Sequence, residues 1–172
     1  MKATKDWRGR FFEDFAIGDI FTSRLGRTVT ETDNVWFTTV TLNTNQMHFN
    51  EAYAAGTTFG RPLVNSCFTL SLITGLTVPD TSENGAANLA WTDIKLPKPV
   101  YVGDTLWAQS EVLDLRESAS RPQMGIVQLR SRGFNQDGDV VIEYKRSFLC
   151  YKRDAPEVRS VVPPVSQDWT VA

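Results

Sequence analysis

The chain has 172 residues, 41% of them apolar and 22% charged, with a formal charge of −2 and an isoelectric point near 5.4. That is enough apolar material for one core, and without basic clusters a nucleic-acid surface is excluded as a reading. No uncharged apolar run approaches the roughly eighteen residues of a membrane span.

The N-terminal residues 1–10 are polar and read as an arm. Charges in MKATKDWRGRFFEDF stand where a secretory signal needs apolar residues, so a cytoplasmic location is expected. Cys67 and Cys150 are too few for a disulfide framework, and no spacing suggests a metal site. Cys67 reads as a packed thiol rather than a nucleophile. Phe11, Phe12 and Phe15 form a packing edge, Ile17-Gly18-Asp19 a turn, and Phe21 to Thr30 a strand with Gly26 as a bulge. Thr32 or Asp33 then caps a short helix with Val35, Trp36, Val40 and Phe37 towards one side. The helix ends at the polar run Asn43-Thr44-Asn45-Gln46-Met47-His48, which holds the only histidine of the chain. Asn50 to Ala55 is a further helical turn, stopped by Gly56, and Gly60-Arg61-Pro62 is a break.

From Val64 to Val78 apolar residues fall on nearly every side, with small residues between them. A helix apolar all round is a buried one, and Asn65 or Ser66 suits its start. Pro79 to Ala87 reads as a loop. After it the period changes to two, with strands at Asn88–Leu96, Thr105–Leu115, Gly125–Phe134 and Val140–Tyr151. Asn135-Gln136-Asp137-Gly138 is a hairpin link. Residues 154–172, with Pro156, Pro163 and Pro164, read as an irregular tail. The sum is an α+β layout, a single domain over residues 11–153, in which an antiparallel sheet wraps a long central helix: the hotdog arrangement. An open edge strand on such a sheet favours a homodimer or a higher homo-oligomer.

Several stretches carry a family resemblance: the run from Asn43 to His48, Phe49-Asn50-Glu51-Ala52-Tyr53-Ala54, Phe59-Gly60-Arg61-Pro62-Leu63-Val64 and Pro99-Val100-Tyr101-Val102-Gly103-Asp104-Thr105-Leu106. Over roughly residues 10–153 the chain resembles the MaoC-like hydratases and dehydratases, which include the (R)-specific enoyl-CoA hydratases. Leu42-Asn43-Thr44-Asn45, Pro62-Leu63-Val64-Asn65-Ser66, residues 116–122 and residues 133–138 resemble the branch acting on mesaconyl-CoA or itaconyl-CoA. The resemblance implies a hydro-lyase acting on a short C4–C5 dicarboxylyl-CoA thioester. It also implies a site between subunits, with the CoA arm crossing the interface.

The family's catalytic aspartate is Asn43 here. An amide takes no proton at neutral pH, so Asn43 is no general base; it can hold a water or orient His48. His48 is then the base, because histidine is the side-chain type that exchanges a proton near neutrality. The family's His-Gly step at the helix start is Asn65-Ser66. The Ser66 backbone N–H, at a helix N-terminus, is the implied donor to the thioester oxygen. Thr74 matches a family hydroxyl near the site; a core threonine bonding its own helix is equally open. Arg61 reads as structural. Arg116 and Arg121 either meet a phosphate or carboxylate or lie on a solvated turn. No metal or organic cofactor is called for, since the thioester already acidifies the α-carbon. Three functions remain open: an acyl-CoA hydratase or dehydratase, a hotdog thioesterase, and a noncatalytic thioester-binding module left by the loss of the aspartate.

Overall fold

The computed structural model describes residues 9–156; most of the expected arm and tail lies outside them. The expected strand at Phe21–Thr30 forms two short pieces, β1 (Ile20–Thr22) and β2 (Arg27–Thr28). Gly26 lies between them because the Trp107 indole packs there: a Cβ would come within 2.3 Å of the ring.

Helix α1 (Glu31–Val40) is capped by Thr30, two positions before Thr32 and three before Asp33, the caps expected from the sequence. Thr30 Oγ1 accepts from the Asp33 amide at 3.2 Å, and the Asp33 carboxylate accepts from the Thr30 amide at 2.8 Å, a reciprocal capping box. The inner face of α1 is not the apolar one. Asn34 and Thr38 are buried, whereas Val35 and Val40 are exposed and Trp36 is 66% exposed. This helix packs on the polar histidine loop, so the face that can hydrogen-bond the loop turns inward. Helix α2 (Glu51–Ala55) starts at Asn50, whose Oδ1 accepts from the Tyr53 amide at 3.1 Å, and ends at Gly56, as expected.

Helix α3 runs Ser66–Thr81 and passes through Pro79, which the sequence suggested would end it. A proline inside a helix removes an N–H and crowds the carbonyl four residues back. Here that residue is Gly75, on the exposed side of the helix. α3 is not buried all round. Its buried stripe is Thr69, Ile73, Thr77 and Thr81, while Cys67, Ser71 and Gly75 face outward. The expected packed thiol at Cys67 is therefore exposed, and the buried cysteine is Cys150. Threonines fit the inner stripe because their hydroxyls return to helix carbonyls: Thr77 donates to Thr74 O and Thr81 to Thr77 O, each at 2.7 Å.

Strands β3 (Gly85–Lys95), β4 (Thr105–Glu117), β5 (Met124–Phe134) and β6 (Val140–Tyr151) follow in order. The sheet runs β1-β4-β5-β6-β3, antiparallel throughout, with β2 also on β4. The β5–β6 hairpin closes on Asn135, whose Oδ1 accepts the Asp137 and Asp139 amides at 3.1 and 2.9 Å, with Gly138 at φ +80°. α3 meets the sheet at Gly133, where a Cβ would stand 2.5 Å from Ile73 Cγ1. Ile73, Leu106, Val141, Ile142 and Tyr144 form the core beneath the helix; Phe15, Val112, Val127, Leu129 and Phe148 form a second one. A sheet wrapped on one central helix is the hotdog fold. β3 is an edge strand, paired with β6 alone, and it exposes Leu89, Trp91 and Ile94. No helix among the described residues is long and apolar enough to cross a membrane.

Candidate active site

The loop from Asn43 to Asn50 is built by side chains that bond the backbone. Asn43 Oδ1 accepts from the Asn45 amide at 3.0 Å, and Asn45 Oδ1 from the Met47 amide at 3.1 Å. Asn50 Nδ2 donates to Gln46 Oε1 at 2.6 Å. Short amides that mimic a turn explain why asparagine recurs here. Gln46–His48 forms one 3-10 turn, and it delivers the imidazole beside the segment that leads into α3.

His48 Nδ1 lies 2.9 Å from Leu63 O. A carbonyl only accepts, so Nδ1 carries the proton of the neutral ring and Nε2 keeps a free lone pair. The imidazole opens on a cleft of about 160 Å³ lined also by Glu31, Val35, Phe49, Glu51, Arg61 and Val102. The Arg61 guanidinium is stacked 3.8 Å from the Tyr101 ring centroid, which holds it at the cleft rim.

Asn34, from the buried face of α1, reaches the same point. Its Nδ2 donates to His48 O at 2.8 Å and to Leu63 O at 3.0 Å, and its Oδ1 accepts from the Asn65 amide at 2.9 Å. The start of α1 is pinned by Arg27, which donates to Asp33 at 2.6 and 2.7 Å. That pairing, then the bonds from Thr30, holds the Asp33 carboxyl far below the usual carboxylate range.

At the start of α3, Asn65 Oδ1 accepts from the Cys67 amide at 3.0 Å. The Ser66 and Phe68 amides, in the first turn, have no acceptor within the helix. Ser66 opens on a second groove of about 330 Å³, shared with Phe59, Leu63, Thr69 and residues 96–100. Leu63 joins the two places: its carbonyl holds the imidazole, and the residue lines the Ser66 groove.

Asn43 opens on a third hollow, of about 410 Å³, with Thr38, Leu42 and Thr44. Val35 and Phe49 line both this hollow and the His48 cleft, and so separate them. No hydrogen bond joins Asn43 to His48 among the described residues; the imidazole takes its orientation from Leu63. Thr74 is further away, its hydroxyl 3.0 Å from that of the buried Tyr144, and it lines none of the three hollows. Arg116 and Arg121 line none of them either. The structure thus gathers His48, Leu63, Asn34 and Asn65, sets Ser66 alongside, and leaves Asn43 and Thr74 apart. Asn34 was missed in the sequence, where it follows the polar run Glu31-Thr32-Asp33 and carries no signal of its own.

A hotdog sheet with one histidine loop beside the start of its helix defines a MaoC-like protein. Residues 2–160 match the family model described as Mesaconyl-CoA hydratase, and the chain belongs to that family. It is 34% identical over 160 residues to the Mesaconyl-CoA hydratase of Cereibacter sphaeroides, which covers 92% of this chain and 46% of that one. It superposes on the MaoC domain protein of Chloroflexus aurantiacus J-10-fl with a TM-score of 0.82 and 33% identity, covering 95% of this chain and 47% of that one. A Mycobacterium tuberculosis protein described as having a double hotdog fold, 19% identical, shares the fold with a TM-score of 0.78 over 94% of this chain and 53% of that one. The chain spans about half the length of the curated relatives it matches.

Proposed function

We propose that this chain adds or removes water at an enoyl-CoA thioester, with a short C4–C5 dicarboxylyl group as substrate. The observation that carries this is the His48 ring, protonated at Nδ1 by its bond to Leu63 O and free at Nε2 above an open cleft. The likeness to a protein named Mesaconyl-CoA hydratase, and to one named Beta-methylmalyl-CoA dehydratase at 35% identity, supports the substrate class.

In this mechanism Nε2 takes a proton from water as the water oxygen bonds the β-carbon. The electron pair of the double bond moves onto the thioester oxygen, where the Ser66 N–H stabilises it. The enolate then collapses, and the α-carbon takes up the proton that the imidazolium carries. Dehydration is the same path reversed. The thioester lies across Leu63, whose carbonyl holds the His48 ring and which lines the Ser66 groove. Asn43 acts through the loop it braces at Asn45, and Asn65 through its cap on the Cys67 amide. Thr74 has at most an indirect part through Tyr144. The chemistry needs no metal or organic cofactor, and we place it in the cytoplasm with the acyl-CoA pool.

The working unit in this proposal is a homodimer or a higher homo-oligomer. The exposed, apolar edge strand β3 supports it, and so does the match to about half of a double hotdog: a second copy would stand where the other half stands. The CoA arm then crosses between subunits.

Crotonyl-, mesaconyl- and itaconyl-CoA separate the possibilities. Loss of enoyl absorbance without free thiol is hydration and is the expected result. Release of free thiol would mean a thioesterase. Saturable binding with neither change would mean a thioester-binding module in which Asn43 has ended catalysis.

A further inference from the structure

We infer that Asn34 is a positioning residue: it locks the histidine loop and the start of α3 into one unit by fixing the carbonyl that receives His48 Nδ1. Asn34 is 1% exposed and sits inside α1, where a leucine would fill the space without desolvating an amide. Its bonds account for its presence. Both amide protons and one oxygen lone pair are used, on His48 O, Leu63 O and the Asn65 amide. Those three groups belong to three separate places: the catalytic loop, the segment behind it and the cap of α3.

The bond to Leu63 O is the one that bears on chemistry. That oxygen accepts from Asn34 Nδ2 at 3.0 Å and from His48 Nδ1 at 2.9 Å, which fills both of its lone pairs. With Asn34 holding it, the carbonyl cannot turn away from the ring, and the ring stays with its proton on Nδ1 and Nε2 open. Asn34 also grips the loop through His48 O, so the loop and its acceptor move together. The platform beneath is firm, because the capping box and Arg27 fix α1 one residue earlier, at Asp33. No other common side chain does all three tasks. Aspartate has no donor when ionised, leucine has neither donor nor acceptor, and glutamine is one methylene too long for a buried site. The charged groups facing the imidazole are Glu31 on α1, Glu51 on α2 and Arg61. They stay in place in Asn34→Leu, which adds no charge, so a change at the ring in that variant reports the hydrogen bonds, whereas Asn34→Asp also adds a carboxylate.

The catalytic consequence rests on the hydratase reading; the effect on the ring does not. The chain has one histidine, so its imidazole nitrogens give one pair of NMR resonances. In the wild type the neutral ring is expected as the Nδ1–H tautomer. Asn34→Asp keeps an acceptor for the Asn65 amide while losing both donors, and Asn34→Leu loses all three bonds. In either variant the Nε2–H form is expected to grow. Where hydration is measurable, kcat falls about 10²-fold and KM changes less than about threefold, as for a misplaced base. The pH profile of kcat shifts with the ring. A folded variant with a lower melting temperature but an unmoved tautomer and pH profile would reduce Asn34 to a packing residue and overturn the inference. A wild-type ring found as Nε2–H would do the same even if neither variant folds. A wild type inactive on every thioester, with the tautomer change intact, would count against the hydratase reading alone.

Discussion

His48 donates from Nδ1 to the main-chain oxygen of Leu63 at 2.9 Å, and this one bond decides which nitrogen can act as a base. Removing the ring should therefore remove the chemistry. His48→Ala is expected to lose about 10²–10⁴ in hydration rate, the usual worth of general acid–base catalysis. His48→Gln should be nearly as poor, because glutamine keeps polarity but moves no proton. Asn43→Ala should lose less than about tenfold, since Asn43 braces the Asn45 amide and does not touch the ring. Initial rates on the preferred thioester check all three. A His48→Ala protein keeping more than about a third of the wild-type rate would place the base elsewhere.

Ile73 of α3 packs directly over Gly133 of the sheet. An added Cβ at Gly133 would lie 2.5 Å from Ile73 Cγ1 and 2.6 Å from its Cδ1. Gly133→Ala is expected to destabilise by about 1–3 kcal/mol through overpacking. Ile73→Ala should cost about 2–5 kcal/mol, through the cavity it leaves in the core. The double variant should be less destabilised than the sum of the two, because the alanine at 73 removes the atoms with which the new methyl collides. Urea unfolding of the four proteins measures this. Strict additivity would mean that the strain is taken up by Ile142, whose Cγ2 would be 2.9 Å away. Ile73→Asp should not fold, since it buries an unpaired carboxylate.

The Arg27–Asp33 pair predicts an acid-labile contribution at the start of α1. The folded carboxyl titrates well below its ordinary value because Arg27 donates to it, with further bonds from Thr30. A depressed carboxylate stabilises the fold above the unfolded pKa of about 4, and loses that stabilisation as pH falls below it. Wild type should melt higher than Asp33→Asn at neutral pH, and the gap should narrow as pH is lowered below about 4. Arg27 is partly exposed, so salt should shrink the gap as well. A gap independent of pH would show that the capping geometry, and not the charge, carries the effect.

Arg146 is the largest of the fully buried side chains. Its guanidinium donates to Thr81 Oγ1 at 3.3 Å and lies 4.8 Å from the Phe148 ring centroid, but Nε has no hydrogen-bond partner and no carboxylate pairs with it among the described residues. A buried cation left uncompensated is costly, so Arg146→Met should leave stability unchanged or raise it. Arg146→Ala should lower it by leaving a cavity. Thermal melts of the two variants distinguish charge from packing. A large loss in Arg146→Met would mean that the Thr81 bond and the stacking on Phe148 outweigh the burial of charge.

Much of the architecture was legible in the residues alone. Alternation of period two located β4, β5 and β6 to within two residues at each end, because a strand with one face on a core must alternate. Asn50 and Gly56 bounded α2 by their own capping chemistry. The asparagine-rich loop and its single histidine stood out as a turn with one proton carrier. What the residues could not settle was direction. Val35, Trp36 and Val40 looked like the inner face of α1, yet Asn34 and Thr38 are inside, because the partner of that helix is a polar loop and not the sheet. Val64 to Val78 looked buried all round, yet Cys67, Ser71 and Gly75 face outward, and the helix continues through Pro79. The acceptor for His48 is a main-chain oxygen, which every residue has and no side-chain pattern announces. Local preference is written residue by residue; which face turns inward, and which carbonyl meets an imidazole, depends on contacts between segments far apart in the chain, and only the folded chain makes those.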